Sequence, residues 1–389
     1  MHSDDLVCLD MLEDLIAFDT TSRNSNLELI RFVRDYLARL GIESTLVHDE
    51  TGTKANLYAT IGPRDRGGIL LSGHTDVVPV DGQEWDGDPF RLVERDGRLY
   101  GRGTADMKGF VAVALAFAPQ FARARLKRPI HYALSYDEEV GCIGVRGLIE
   151  HLRRLPVRPE MCVVGEPTGM QVVVAHKGKL AIRCRVHGHE CHSSLAPAGV
   201  NAVEYAAELV AYLKGMARRF ATRGPFDHGY DVPHTTVHTG CIHGGTALNI
   251  VPADCAFEFE FRYLPVQDPT ELLAEVQSHA HGSLEPEMKA VAPHAGFSWE
   301  EMSFSPGLDA DPEEEVVTLA KTLAVQNGHG KVAYGTEAGL FRNRAEIPTV
   351  VCGPGSIAQA HKPNEYVEIA QVAKAEAFMR RLIEMAQAG

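Results

Sequence analysis

The chain has 389 residues, too many for one ordinary hydrophobic core, so about two domains are expected. Its 45% hydrophobic content is that of a globular protein, and no run approaches the roughly 18 apolar residues of a membrane span. A formal charge of −14 with no large lysine or arginine cluster argues against nucleic acid as a partner and suits a small cationic substrate.

The opening "MHSDDLVCLDMLEDL" is acidic and unlike a secretory leader, so a cytoplasmic protein is expected. Short apolar runs follow, "NLYATIG", "GILLSGH", "IHYALSY" and "EMCVVGE", each readable as a strand. Amphipathic stretches at about 25–41, 107–125 and 143–155 read as helices between them. Pro119 predicts a kink in the second helix or its early end. This alternation argues for a mostly parallel α/β sheet. Near Lys179 the pattern changes. "LAIRCRVHG" and "CAFEFEFRYLP" alternate with period two, as strands with one wet face do, and helices at about 200–219 and 269–281 separate the strand regions. "GLDADPEEEVVTLAKTLA" then restarts the first style, with Asp311 expected to cap a helix that begins at Pro312. The strand "IPTVVCGPG" and a helix from about 368 close the chain. The predicted architecture is an α/β domain split over 1–179 and 293–389, with an α+β domain inserted at 180–292. The eight cysteines form no CxxC pair and sit mostly in apolar runs, which suits buried thiols.

Chemistry-bearing residues gather where the apolar runs end: His74 and Asp76, Asp106, Glu138 and Glu139, Glu166, and His361. Ligands of open α/β sheets bind at the carboxyl ends of strands, so these loops are expected to share one rim. Imidazoles and carboxylates without thiolates suit zinc, cobalt or manganese, and this set exceeds what one four-coordinate ion needs. Two ions bridged by a carboxylate would use it fully. His74 and Asp76, two apart, would point the same way in extended chain, letting the Asp76 carboxylate orient the imidazole. The adjacent Glu138 and Glu139 would point to different sides, one as a ligand and the other free to carry a proton. Each piece alone reads as an ordinary turn or exposed loop; their joint order and placement do not. The chain has no GxSxG, no GxGxxG and no P-loop lysine motif.

The stretches "SGHTDVVP", "GRGTADMKG", "DEEVG", "GEPT" and "AHKPNEYV" resemble the aminoacylase and carboxypeptidase-G type of co-catalytic di-zinc metallohydrolases over nearly the whole chain. "VGEPTGMQVVVAHKG", "TALNIVPADCAFEFEFRYLP" and "YGTEAGLF" look most like its acetylornithine deacetylase branch. The resemblance implies two divalent ions, Zn2+ or Co2+, with Asp106 bridging them and a cis Asp106–Met107 peptide. His74 and Glu166 would hold one ion, and Glu139 and His361 the other. Glu138 would be the general base and acid, with Asp76 orienting His74. The inserted domain would be a lid that also dimerises the protein. His192 would stabilise the oxyanion in the partner subunit's site, or else belong to ordinary lid packing. Asn249 and Arg262 would meet a substrate carboxylate, or Arg262 would make a lid salt bridge. Thr336 and Glu337 would line the side-chain pocket, the acid holding an ornithine amine. His187, His189 and Cys191 beside His192 could be misread as a zinc site. Trp85, Pro89 and Phe90 would pack beneath the metal loop. Phe110 departs from relatives that carry a second glycine there.

The expected reaction is hydrolysis of an N-acyl-amino acid, N2-acetyl-L-ornithine first among them. Succinyl-diaminopimelate desuccinylase, aminoacylase and dipeptidase activities are the neighbouring alternatives. A non-catalytic metal-binding relative is the alternative of another class.

Overall fold

The computed structural model describes residues 5–388. The chain divides into two compact units, one of Met1–Ala175, Leu308–Lys331 and Thr336–Gly389, the other of His176–Gly307 and Val332–Gly335. In chain order the strands are β1 Ser44–His48, β2 Ala55–Ile61, β3 Ile69–His74, β4 Val93–Arg95, β5 Arg98–Tyr100, β6 Ile130–Ser135, β7 Met161–Pro167, β8 Val173–His176, β9 Gly178–His187, β10 Thr236–Gly244, β11 Asp254–Tyr263, β12 Gly296–Ser305, β13 Leu308–Asp309, β14 Gly330–Val332, β15 Thr349–Gly353 and β16 Tyr366–Glu368.

The larger unit is built on a nine-stranded sheet ordered β1-β2-β6-β3-β7-β15-β8-β13, with β14 paired to β8. The central strands β6, β3, β7 and β15 run parallel, and β1, β2 and β8 are antiparallel to their neighbours. All residues of those central strands are buried, which is why their sequences are apolar without alternation. The helix after Asp106 runs Lys108–Ala116 and breaks at Phe117. A second helix, Ala118–Arg123, starts with Pro119 in its first turn, where the missing N–H costs nothing.

The acid run near 311 departs from expectation. The helix is Glu315–Ala324 with Glu314 at its N-cap, so it does not begin at Pro312 and Asp311 does not cap it. Asp311 instead accepts the Glu313 N–H at 3.0 Å in a separate turn. Arg342 grips Glu314 with two nitrogens at 2.9 and 2.6 Å, which holds that residue extended and delays the helix.

The second unit carries an antiparallel four-stranded sheet, β10-β11-β9-β12. Alternating burial along β9 and β11 matches their period-two sequences. The helix Ala202–Arg223 lays Ala206, Leu209, Leu213, Met216 and Phe220 into a core with Ile182, Cys184, Phe257, Phe259 and Phe261. The main segment of this unit runs to Gly307 rather than 292, because β12 pairs along the whole of β9 and belongs to this sheet. A third, small sheet, β16-β5-β4, joins the residues before Asp106 to those after His361. No helix among the described residues is long and apolar enough to cross a membrane.

Candidate metal centre

The parallel strands set the site. His74 is the last residue of β3, Glu166 is the next-to-last residue of β7, and Glu138 and Glu139 follow β6. His361 stands in the loop after β15, and Asp106 precedes the helix Lys108–Ala116. Because β6, β3, β7 and β15 are parallel neighbours, their carboxyl ends share one rim. The Asp106–Met107 peptide is cis.

Asp106 stands at the centre. Its Oδ1 lies 3.0 Å from His74 Nε2, and its Oδ2 lies 3.2 Å from His361 Nε2. His361 Nε2 is also 3.0 Å from Glu139 Oε2, and His74 Nε2 is 3.8 Å from Glu166 Oε1. Donors around a tetrahedral zinc ligated at about 2.0 Å stand roughly 3.3 Å apart, so these spacings are those of ligand edges. His74 with Glu138 and Glu166, and His74 with Asp106 and Glu139, each form a cluster whose ligand atoms lie within 4.8 Å of one another. The buried Glu139 Oε1 has no hydrogen-bond partner among the described residues. An orphaned carboxylate oxygen within a ring of acids and imidazoles fits a pair of divalent cations.

The second layer differs from expectation in one respect. His74 Nδ1–H donates to the main-chain carbonyl of Asp76 at 2.9 Å, while the Asp76 carboxylate is 3.5 Å away. β3 ends at His74, so the extended geometry that would align the two side chains does not reach residue 76. The carbonyl fixes the tautomer and leaves Nε2 to face Asp106. The Asp76 carboxylate takes the Ser22 hydroxyl at 2.6 Å and the N–H groups of Glu138 and Glu139 at 3.1 and 3.3 Å. Asp137, the first of the three adjacent acids, pairs with Lys54 at 2.5 Å.

The charges are crowded. Burial, reinforced by Glu139, Asp106 and Asp76 against the relief of His74, pushes the Glu138 carboxyl up to about 8. Burial and the neighbouring Asp106 push Glu139 to about 7, and burial and Asp106 raise Glu166 well above its ordinary range. Asp106 moves the other way: burial opposes ionisation, but hydrogen bonds to His361 and His74 hold it low. Hydrogen bonds to Asp106 and Glu139 raise His361 to about 10. Acids packed this way ionise together only when cations share the site.

The pattern of peptidase family M20/M25/M40 matches residues 70–385. The chain belongs to that family. It is 35% identical over 372 residues to an acetylornithine deacetylase of Proteus mirabilis (strain HI4320), covering 95% of this chain and 92% of that one. An acetylornithine deacetylase of Pasteurella multocida (strain Pm70) is 34% identical over 386 residues, covering 96% and 97%. Among solved structures, an M20 family metallo-carboxypeptidase from Sulfolobus solfataricus superposes with TM-score 0.76 at 18% identity, covering 98% and 99%. A dinuclear metal-binding M20 peptidase of Bacillus subtilis gives 0.67 at 15% identity, covering 98% of each chain.

The remaining predicted positions of this M20/M25/M40 chain fall into two groups. Thr336 and Glu337 lie in the larger unit and are buried. The Thr336 hydroxyl accepts the Ala338 N–H at 3.1 Å. Glu337 Oε2 accepts the Ser135 hydroxyl at 2.9 Å, while its buried Oε1 has no hydrogen-bond partner among the described residues. Burial and the nearby Glu138 push the Glu337 carboxyl up to about 8. His192, Asn249 and Arg262 lie in the second unit. The exposed His192 accepts the Ser194 N–H on Nδ1 at 3.2 Å, leaving Nε2–H as the donor nitrogen. The Asn249 carbonyl accepts the Ser193 N–H at 3.0 Å. Arg262 Nε donates to Glu260 at 3.0 Å, an ion pair within the second unit. Neither metal-competent cluster contains His187, His189 or Cys191. The Arg102 guanidinium lies 5.1 Å from the centre of the Trp85 ring. Sequence reading missed Ser22, Lys54, Arg102 and Glu365. The last two sit inside the quoted motifs "GRGTADMKG" and "AHKPNEYV", and a lone charge in a glycine-rich or turn-rich motif is the signal that could have marked them.

Proposed function

We propose that this chain hydrolyses the acetyl amide of N2-acetyl-L-ornithine, giving ornithine and acetate. It is a metal-dependent amidohydrolase of its family. His74 and Glu166 would hold one divalent ion and Glu139 and His361 the other, with Asp106 available to both. Zinc or cobalt suits this histidine–carboxylate set. A divalent pair held there would supply Lewis acidity for an amide carbonyl and for a water nucleophile.

Glu138 takes the proton from the water and returns it to the leaving amine, with Asp76 fixing its backbone from behind. His192, whose Nε2–H is the donor nitrogen, stabilises the oxyanion from the second subunit of a homodimer whose lid is the inserted unit. Asn249 and Arg262 receive the substrate α-carboxylate, Arg262 through the terminal nitrogens beyond the Nε held by Glu260. Thr336 shapes the wall of the side-chain pocket. The unpartnered oxygen of Glu337 is assigned to the ornithine ammonium, whose charge would stabilise the ionised acid. Cytoplasmic residence belongs to the same reading.

The reaction class rests on Asp106 facing both imidazoles within 3.2 Å. The substrate rests on likeness to acetylornithine deacetylases over nearly the whole chain. The test is turnover on acetyl-ornithine, acetyl-methionine, succinyl-diaminopimelate and simple dipeptides with added zinc or cobalt. Acetyl-ornithine is expected to give the highest kcat/KM, and a better substrate elsewhere in the panel overturns the assignment. Glu138→Ala is expected to keep its metal and lose about 10²- to 10⁴-fold in kcat. Substantial turnover in the metal-replete variant removes Glu138 from the proton-transfer role.

A further inference from the structure

Beneath the candidate centre lies a buried ion pair that the mechanism does not use. Arg102 and Glu365 are both 1% exposed, with Arg102 Nη1 2.6 Å from Glu365 Oε2. The other oxygen of Glu365 accepts the N–H groups of Ala105 and Asp106 at 2.9 and 3.0 Å. Arg102 reaches the opposite way. Its Nη2 donates to Gln83 Oε1 at 2.5 Å, and its Nη1 donates to the Lys362 carbonyl at 3.4 Å. The Gln83 amide nitrogen then donates to the His361 carbonyl at 3.1 Å. The frame therefore begins at the backbone of Asp106 and ends at the backbone of His361.

The fold explains why these residues meet. β5 pairs antiparallel with β16, Tyr100 opposite Tyr366, and the Gly101 N–H donates to the Glu365 carbonyl at 3.0 Å. The ladder thus lays the loop carrying Asp106 beside the loop carrying His361. A buried ion pair is a poor device for stability, since desolvation offsets its attraction. It is a good device for direction: one charged oxygen shared by two N–H groups fixes a peptide plane, and a planar guanidinium fixes two acceptors at once. His361 needs such support. Its side chain is 51% exposed and its φ is +63°, a backbone conformation that neighbours must hold for a residue other than glycine.

We infer that Arg102 and Glu365, acting through Gln83, are the positioning residues of the second cation site, the one shared by Asp106, Glu139 and His361. The His74–Glu166 site depends on this frame only through Asp106. The inference rests on the proposed ligand roles of Asp106 and His361.

The test uses the full chain stripped of metal and titrated with cobalt, in the wild type, Arg102→Lys and Gln83→Leu. Lysine keeps the charge but cannot span Glu365 and Gln83 together. Gln83 is not fully buried, so its variant is expected to fold even if Arg102→Lys does not. Stoichiometry and the two successive Kd values are read by calorimetry, with Tm measured in parallel. The first cobalt is expected to bind within about twofold of wild type, and the second about 10- to 100-fold more weakly. Excess cobalt is expected to restore most of kcat without changing KM. Equal weakening of both ions with a fallen Tm, or wild-type affinity for both ions in Gln83→Leu, overturns the inference while leaving the two-ion centre intact. A wild-type protein that takes only one ion overturns both.

Discussion

Asp76 shows how a residue next to the chemistry can matter without touching metal. Three donors converge on its two oxygens: the Ser22 hydroxyl and the N–H groups of Glu138 and Glu139. It therefore sets the turn from which Glu138 and Glu139 project. An asparagine in its place would offer one acceptor oxygen and an amide nitrogen that repels N–H donors. Asp76→Asn is accordingly expected to keep both ions and lose about 10- to 100-fold in kcat, the range seen when supporting partners of metal ligands are changed. Steady-state kinetics beside elemental analysis checks this, and a wild-type kcat refutes the clamp. The gathering of His74, Asp106, Glu138, Glu139, Glu166 and His361 at one rim was legible because each carries chemistry and lies in a loop that follows an apolar run or opens a helix. The use of Asp76 was not, because spacing predicts side-chain direction only while the strand lasts, and β3 stops at His74. Arg102 and Glu365 were hidden for a different reason: an isolated charge reads as exposed until its burial is known.

At the scale of elements, the central strands β3, β6, β7 and β15 were legible because buried parallel strands are apolar on both faces, whereas the short or half-exposed β1, β4, β5, β8, β13, β14 and β16 were not. The start of the helix Glu315–Ala324 was not, since the Glu314–Arg342 pair that delays it spans residues distant in sequence. The same kind of contact governs how the helix Lys108–Ala116 meets β7. A Cβ built on Gly165 would lie 2.0 Å from the ring of Phe110, so the glycine is the seat of that ring. Phe110 follows Asp106 by one helical turn, and Gly165 precedes Glu166, so this contact sets the distance between two candidate ligands. Gly165→Ala is expected to cost about 1–3 kcal/mol through overpacking. Trimming the ring in Gly165→Ala/Phe110→Leu is expected to recover part of that cost, so the two changes are non-additive by about 0.5 kcal/mol or more. Denaturant midpoints of the two singles and the double measure the coupling, and strict additivity would mean that the ring has room to move.

At the scale of the whole molecule, the insertion was legible from the change to period-two alternation, but its far end was not. "GFSWEEMSFS" shows no clean alternation, and only its pairing along β9 assigns it to the second sheet. The same burial that builds both units sets their response to acid. His131, held on Nδ1 by the Tyr58 and Thr60 hydroxyls at 2.8 and 3.0 Å, is pushed down to about 4 by burial. His176, at the start of the second unit, is pushed down to about 4 by burial against a smaller upward pull from a main-chain hydrogen bond. In the unfolded chain each titrates near about 6.5. Between these values the unfolded state binds more protons, so stability is complete above about 6.5 and falls as pH drops toward 4. The slope is about 1.4 kcal/mol per pH unit for each histidine, reaching roughly 3 kcal/mol for each by pH 4. In the metal-free protein the raised carboxyls of Glu138, Glu139 and Glu337 contribute a slope of opposite sign, so the histidine contribution is read as the difference between wild type and a histidine variant. Urea unfolding of the metal-free protein from pH 4.5 to 7 is expected to give His131→Gln, which cannot be protonated, a stability-versus-pH slope lower than that of wild type by about one proton. If wild type and His131→Gln lose stability in parallel, His131 is already charged in the folded state and its neutral burial is refuted.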